Sequence, residues 1–326
     1  MRKGKQSAAI ALALAMALQL GAVVPAAAVG INATAGYENG SSALNLNLIA
    51  RYASGQYNVD GGVMEIVAYN QSNGFAYAIN GQSGMLASIP LGNLTAGTSV
   101  AQLSGTEIDV KALVEAADST FRYGDMTSVA VSPDNTTLAA ALQAEGYNDA
   151  GRVALFTCNT DGSLTLKGLV ETGVQPDMVT FADPNTILTA DEGEPREGYG
   201  DGIADPRGSV TVVDVSALTS EVVGFDAFDA QRDALAASGV VLKKGAEPSA
   251  DLEPEYIAVS GGKAYITLQE NNAIAVLDLA SRTYDGVWSA GFEDYSATPI
   301  DIDKKDDAYA PKTYDNLMGL RMPDGI

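Results

Sequence analysis

Glu255-Tyr-Ile-Ala-Val259, Ser260-Gly-Gly262, Lys263-Ala-Tyr-Ile-Thr-Leu268 and Ala273-Ile-Ala-Val-Leu-Asp-Leu279 form one unit. An acid opens a β-run, a tight turn follows, a second β-run returns, and a third closes the unit. The same order recurs upstream. First runs are Glu65-Ile-Val-Ala-Tyr69, Thr127-Ser-Val-Ala-Val131 and Asp177-Met-Val-Thr-Phe181. Their turns are Asn70-Gln-Ser-Asn-Gly74, Ser132-Pro-Asp-Asn135 and Ala182-Asp-Pro-Asn185. Second runs cover 75–79, 137–142 and 186–190, and third runs 152–157 and 209–215. A strand–turn–strand–loop–strand unit repeated in this way is the sequence signature of a β-propeller blade, so the fold class is all-β.

The opening position is 62 residues from 65 to 127, 50 from 127 to 177, 78 from 177 to 255 and 69 from 255 to 324. Each spacing reaches or exceeds a minimal blade of about 40–50 residues, so loops hold the excess. Proline precedes the acid in Pro176-Asp177, Pro254-Glu255 and Pro323-Asp324. The last instance predicts that a further inner strand starts at Asp324, making the chain an incomplete propeller arc of about four blades. Residues 44–52 (Leu-Asn-Leu-Asn-Leu-Ile-Ala-Arg-Tyr) alternate like a strand that closes a propeller. In an open arc this strand is expected to be unpaired or to find a substitute partner, and 301–326 to pack poorly. Short helical patterns near 107–118 and 229–238 read as inserts between blades, with Asp229 as N-cap and Gly239 as stop.

Residues 1–28 read as a secretory leader. Arg2, Lys3 and Lys5 precede an apolar run from Ala8 to Val24; Pro25 breaks it, and Ala26-Ala-Ala28 offers a small-residue cleavage site. Cleavage is expected after Ala28, leaving 29–43 as a linker and 44–326 as the propeller domain. The alternative is an uncleaved anchor; the run is short and alanine-rich for that. No later stretch of the sequence is long and apolar enough to cross a bilayer, so no membrane span is expected after cleavage.

The 326 residues hold 41 acids against 19 bases, a formal charge of -22, with 18% charged and 46% hydrophobic residues. This argues against wholesale disorder and against nucleic-acid or anionic-lipid partners. The field favours divalent cations. With no histidine, Ser-His and Cys-His nucleophile pairs and imidazole metal sites are excluded. The one cysteine, Cys158, allows neither an intramolecular disulfide nor a thiolate zinc cluster, and reads as a buried small hydrophobe. No phosphate-cradling glycine motif is present.

Several longer segments resemble one family. They are Asp191-Glu-Gly-Glu-Pro195 with Asp205-Pro-Arg-Gly-Ser-Val-Thr-Val-Val-Asp214, Asp251-Leu-Glu-Pro-Glu-Tyr-Ile-Ala-Val259, Leu268-Gln-Glu-Asn-Asn-Ala-Ile-Ala-Val-Leu-Asp278 and Lys312 through Ile326. They are similar to the choice-of-anchor I domain, an extracellular propeller shared with mesenchyme-specific cell surface glycoproteins. The resemblance covers about residues 44–326. It implies a YncE-like or seven-bladed propeller, secretion and often surface attachment, and a domain that continues past Pro-Asp-Gly-Ile. It implies no catalytic residues.

Glu65, Asp177, Glu255 and Asp324 share the opening position, which a propeller brings around its channel. Such carboxylates repel one another unless a cation joins them. Glu192, Glu194 and Glu270 follow the second strand, whose end returns to the same face. Glu65, Asp177, Glu192, Glu255 and Glu270 are therefore the candidate metal ligands. Calcium is the expected ion, being a hard cation that takes six to eight oxygens. The competing reading has these acids capping turns or simply solvated. The loop 191–207, with Arg196 and Arg207, reads either as a binding loop or as a solvated, internally salt-bridged insertion. Asp301-Ile-Asp303-Lys-Lys-Asp306-Asp307 departs from the EF-hand template at Lys305 and Lys312. The leading function is a non-catalytic binding or scaffolding domain for an extracellular ligand or cell-envelope component. The alternatives are a calcium-dependent phosphoesterase of the phytase or alkaline-phosphatase-like propeller kind, whose calcium ions would activate water, and an inert fragment.

Overall fold

The computed structural model describes residues 32–36, 43–57, 63–81, 83–92, 94–95, 100–198, 202–303, 305 and 308–326. The leader at 1–28 lies outside them. Strand β1 (Asn32–Gly36) pairs antiparallel with β2 (Ala43–Asn47). Part of the expected linker is thus a strand. Strand β3 is Ala50–Tyr52. The first four-stranded sheet holds β4 (Val67–Asn70), β5 (Phe75–Asn80) and β6 (Met85–Pro90); after an excursion through β7 (Ala101–Leu103), β8 (Thr106–Asp109) completes it. The second holds β9 (Tyr123–Val131), β10 (Thr137–Ala144), β11 (Ala150–Cys158) and β12 (Leu164–Val174). The third holds β13 (Pro176–Asp183), β14 (Thr186–Asp191), β15 (Ser209–Asp214) and β16 (Thr219–Gly224). The fourth holds β17 (Ile257–Ser260), β18 (Lys263–Leu268), β19 (Ala273–Asp278) and β20 (Thr283–Ser289). The strands of each sheet run antiparallel in chain order. Between β17 and β18, Gly261 and Gly262 take φ of 59° and 77°, the double left-handed turn that suits a two-residue hairpin.

The sheets stack face to face in sequence. Tyr77, Ile79 and Leu86 of the first meet Leu138, Ala140 and Leu142 of the second. Ala139, Ala141 and Val153 of the second meet Val179, Ile187 and Val213 of the third. Leu188, Ala190 and Val210 of the third meet Ala264, Ile266 and Leu268 of the fourth. The first strands β4, β9, β13 and β17 adjoin one another in order, so each sheet radiates outward from its first strand like a blade. Strand β10 is covered on both faces, which explains why Thr137–Ala144 reads as a continuous apolar run rather than an alternation. Its alanines let the flanking sheets approach closely.

Residues 44–52 do not form one strand. They divide at Leu48-Ile49, and β3 pairs in parallel with β7, a substitute pairing. Tyr52 and Leu103 from this pair cover the outer face of the first sheet over Ala76, Ala78, Ala87 and Ile89. The first helix, α1 (Val110–Ala117), starts later than its pattern suggests: 107–109 belong to β8, and Asp109 accepts the Ala112 amide as N-cap at 2.8 Å. The second insert is a 3-10 turn (Asp226–Gln231) leading into α2 (Arg232–Ser238), which Gly239 ends at φ 99°. Asp229 does not cap this helix. Its carboxylate takes the amide and hydroxyl of Ser249, both at 2.9 Å, in the short helix α3 (Pro248–Asp251).

In the final segment, β21 (Phe292–Asp294) and β22 (Met318–Leu320) make a small pair, and Ile302, Tyr309 and Met318 are exposed. Its last turn is nevertheless held on the fourth sheet. Asn272 Oδ1 accepts the amides of Arg321 and Met322, and Thr267 Oγ1 donates to the Asp324 carbonyl at 2.6 Å. Among the described residues no helix is long and apolar enough to cross a membrane.

Candidate functional site

A β-bulge marks the shared opening position in the second, third and fourth sheets. In the second sheet Ala141 faces Ser128 and Leu142 faces Met126, so Thr127 is skipped. In the third, Ala190 faces Met178 and Asp191 faces Pro176, so Asp177 is skipped. In the fourth, Thr267 binds both Glu255 and Tyr256: its carbonyl accepts the Glu255 amide and its own amide donates to the Tyr256 carbonyl, each at 2.9 Å. In the first, Glu65 directly precedes Ile66, whose carbonyl takes the Ile79 amide at 3.0 Å. A bulge inserts one residue without a ladder partner and re-aims its side chain. Here it turns Asp177 and Glu255 away from the sheet faces toward a common mouth at the head of the first strands.

The expected acids meet there. Asp177 lies close enough to Glu65, Asp125 and Glu194 for their charges to act on it. Glu192 faces Asp177, Glu255, Glu194 and Glu253. Glu255 faces Asp177, Asp324, Glu270 and Glu194. Glu65 itself is exposed and reaches the group through Asp125 and Asp177. Two members escape the sequence pattern. Asp125 stands two residues before Thr127, the one opening position without an acid, and supplies the second sheet's carboxylate. Glu253 sits across Pro254 from Glu255, and neighbouring acids Asp251, Glu270, Glu194 and Asp205 act on it.

Glu192, Glu253 and Glu255 are 9%, 8% and 6% exposed. Their amides are bonded, yet among the described residues no donor reaches any of the three carboxylates. Burial, reinforced by the surrounding acids, pushes Glu192 up to about 9 and Glu253 and Glu255 to about 8. Burial also raises Asp177 to about 6, with Arg196 opposing the rise. Burial first and the neighbouring acids second thus favour the protonated form of Glu192, Glu253 and Glu255. The exception nearby is Asp191. Fully buried, it accepts Thr189 Oγ1 and Thr211 Oγ1 at 2.6 Å and Ser209 Oγ at 2.9 Å. Burial still lifts it to about 6, although the three hydroxyls pull it down.

Arg196 is the guanidinium in the mouth. Its Nε lies 3.5 Å from Glu194, and its charge acts on Asp125 and Asp177. Arg207, on the same loop, instead pairs with Asp226 at 2.6 Å, so the loop is not simply salt-bridged within itself. Lys243 pairs with Asp205 at 3.2 Å. Hard oxygen donors of this kind suit a calcium ion chemically. Among the described residues, however, no three acids are gathered tightly enough to hold a metal as they stand. Cys158, half-buried at the opposite end of β11, has its thiol pushed up by burial, the state of a quiet thiol rather than a nucleophile.

No curated protein matches the sequence. Solved structures with similar architecture include a protein of unknown function from Bacteroides caccae (10% identity, TM-score 0.39). Others are the Cps50 (Swd1) β-propeller domain of Myceliophteria thermophila (13%, 0.39) and AztD of Citrobacter koseri (14%, 0.38). Each match covers 70% of this chain, and the chain spans 61%, 55% and 47% of theirs. Likenesses this distant say nothing of activity. The choice-of-anchor I domain model matches residues 65–326, from the first opening acid to the last residue, and the chain belongs to that family.

Proposed function

We propose that this chain is a non-catalytic binding or scaffolding domain displayed outside the cell, whose acidic mouth takes calcium. One observation carries the reading: Asp177, Glu192, Glu253 and Glu255 converge at one end of the sheets, and no described donor reaches the three glutamate carboxylates. Gathering carboxylates in this way is costly unless a counter-charge arrives. A hard divalent cation supplies that charge and accepts many oxygens at variable geometry. Binding then draws the flexible glutamate side chains inward from their present spread. The leader at 1–28 and the family's name support a place at the cell surface, where an extracellular ligand or envelope component is the partner.

The four sheets are proposed to be an arc of a larger propeller of the seven-bladed type. The support is the far face of the fourth sheet. Trp288 there is 52% exposed, and Ile274 and Tyr265 are half-buried, whereas the corresponding faces between the other sheets are closed.

Equilibrium dialysis against millimolar calcium, with a phosphatase assay on the same samples, tests the function. Calcium binding without phosphate-ester hydrolysis is expected. Absence of binding removes the calcium reading, and calcium-dependent hydrolysis replaces the scaffold reading with a phosphoesterase.

A further inference from the structure

We propose that the third and fourth sheets hold between them a binding site for a hydroxylated carboxylate of the hexuronate kind, with Arg282 as its anchor. It lies at the end of the sheets opposite the acidic mouth, and either site can be absent without the other. The site is a cavity of about 460 Å³, within the roughly 300–1,000 Å³ of small-molecule sites. Asp183 and Thr186 of the third sheet form one wall; Ser260, Gly261, Gly262 and Arg282 of the fourth form the other.

The same junction is closed between the other sheets. Between the first and second, Asn70 Nδ2 donates to the Asn135 carbonyl at 2.8 Å, the Gln71 amide to Asn135 Oδ1 at 2.9 Å, and Asn73 Nδ2 to the Asn159 carbonyl at 2.9 Å. Between the second and third, Val215 is buried and joins the apolar cluster of Ala139 and Val153. Between the third and fourth, among the described residues, no hydrogen bond joins the turn at 182–185 to the turn at 260–262. A methyl on Gly261 or Gly262 would meet nothing within 4 Å. Their φ of 59° and 77° disfavour any side chain there, so the hairpin itself keeps the space open.

Arg282 stands where the third sheet has Leu218. The two take left-handed φ of 59° and 54°, each four residues after an aspartate. Asp278 accepts the amides of Ala280 and Ser281, and Asp214 those of Ser216 and Ala217, so the two turns are built alike. Leu218 lies against Gly168 of the second sheet, where an added methyl would come 2.8 Å from it. The position thus faces the preceding sheet, and an aliphatic side chain serves it without a charge. Arg282 brings a guanidinium there and leaves it unmatched. Its Nε stands 3.7 Å from Glu221, which is 61% exposed. Its Nη1 is buried and has no acceptor among the described residues. A desolvated N–H without a partner is costly, and a planar carboxylate matches the guanidinium fork. The Arg282 side chain lines the cavity, is 31% exposed and is held by no hydrogen bond to a described residue, so it can settle onto an incoming carboxylate. The hydroxyls of Thr186 and Ser260 bond to no described residue. Asp183 Oδ1 takes the Asn185 amide at 2.8 Å, which leaves its second oxygen for a ligand hydroxyl. The charge of Asp183 also weighs against a ligand with a second anionic group.

Amide NMR titration of the whole chain with glucuronate and galacturonate, and with glucose and acetate as controls, tests this in wild type, Arg282→Leu and Arg282→Lys. At least one uronate is expected to shift the amides of Gly261 and Gly262 in wild type. Glucose, which lacks the carboxylate, and acetate, which lacks the hydroxyls, should bind roughly tenfold more weakly or not at all. Arg282→Leu, which installs the third sheet's own side chain, should lose uronate binding by about tenfold or more, and Arg282→Lys should lose part of it because the charge remains without the fork. A melting curve for each variant checks that the fold is intact; Arg282→Leu should melt no lower than wild type, since an unmatched charge is gone. The site is overturned if neither uronate shifts these amides, if the shifts fall only in the mouth, or if a folded Arg282→Leu binds as tightly as wild type. Acetate binding as tightly as the uronates overturns the class of ligand.

Discussion

Replacing Glu192 by glutamine removes one negative charge from the most crowded point of the mouth and leaves the side chain's shape almost unchanged. The wild-type carboxyl is buried, faces four other acids and is raised from an ordinary 4.5 to about 9. A folded-state pKa above the unfolded value means that the folded chain binds the extra proton. That contribution is fully present below about pH 4.5 and is lost as pH rises through the folded value. A tenfold change in proton affinity is worth about 1.4 kcal/mol, so an isolated group raised this far would lose about 6 kcal/mol by pH 9. Asp177, Glu253 and Glu255 titrate with it, and removing one charge eases the ionisation of the others, so a single substitution recovers about 2 kcal/mol. For a domain of this size that is a rise of about 4 °C or more in melting temperature. Circular-dichroism melts at pH 6 and pH 9, without calcium, supply the assay. Wild type should melt lower at pH 9 than at pH 6. Glu192→Gln should regain the difference in part at pH 9 and exceed wild type by a smaller margin at pH 6, since the loss begins above about pH 4.5. Glu107→Gln, an exposed acid on β8, should change neither value. A Glu192→Gln variant that melts below wild type at pH 9 would refute the reasoning, because Glu192 would then be a paired, stabilising charge.

Further outcomes follow from the packing around the mouth. Phe225, fully buried and stacked on Tyr284 at 4.6 Å, anchors the insert between the third and fourth sheets; Phe225→Ala should cost about 3–5 kcal/mol in urea unfolding. Gly173→Ala should destabilise by about 1–3 kcal/mol, since a methyl there meets Ser209 Oγ and Asp191 Oδ2 in the buried hydroxyl cluster. At the acid end, Asp118 is held down at about 2 by bonds from Thr120 and by Arg152. Its depressed pKa contributes stability above its unfolded value that is lost as pH falls through about 4 to 2, so melting temperature should pass a maximum near pH 5 and decline on both sides.

Much of the architecture is legible in the sequence because each unit opens with a polar residue followed by a β-prone run, and those runs form β4, β9, β13 and β17 with their second strands. The fourth strands are not. Strand β16, Thr219–Gly224, is exposed over most of its length and so offers no apolar run to read. The alternation at 44–52 is real, but which strand β3 pairs with depends on β7, 51 residues further on. The shared acid position points to the mouth; the bulges that aim it do not show in the sequence, because a bulge is a register slip between two strands rather than a residue pattern. Asp125 is hidden for that reason, replacing Thr127 as the second sheet's acid from a different register. Asp191 reads as part of an acidic loop, yet it is interior: its partners Ser209 and Thr211 lie on β15 and only the fold brings them to it.

The most direct test is to locate the ion. Crystals of the chain soaked in a lanthanide chloride as a calcium substitute should show an anomalous difference peak in the mouth, bounded by Asp177, Glu192 and Glu255. A mouth without a peak, or a peak confined to surface acids elsewhere, would contradict the account.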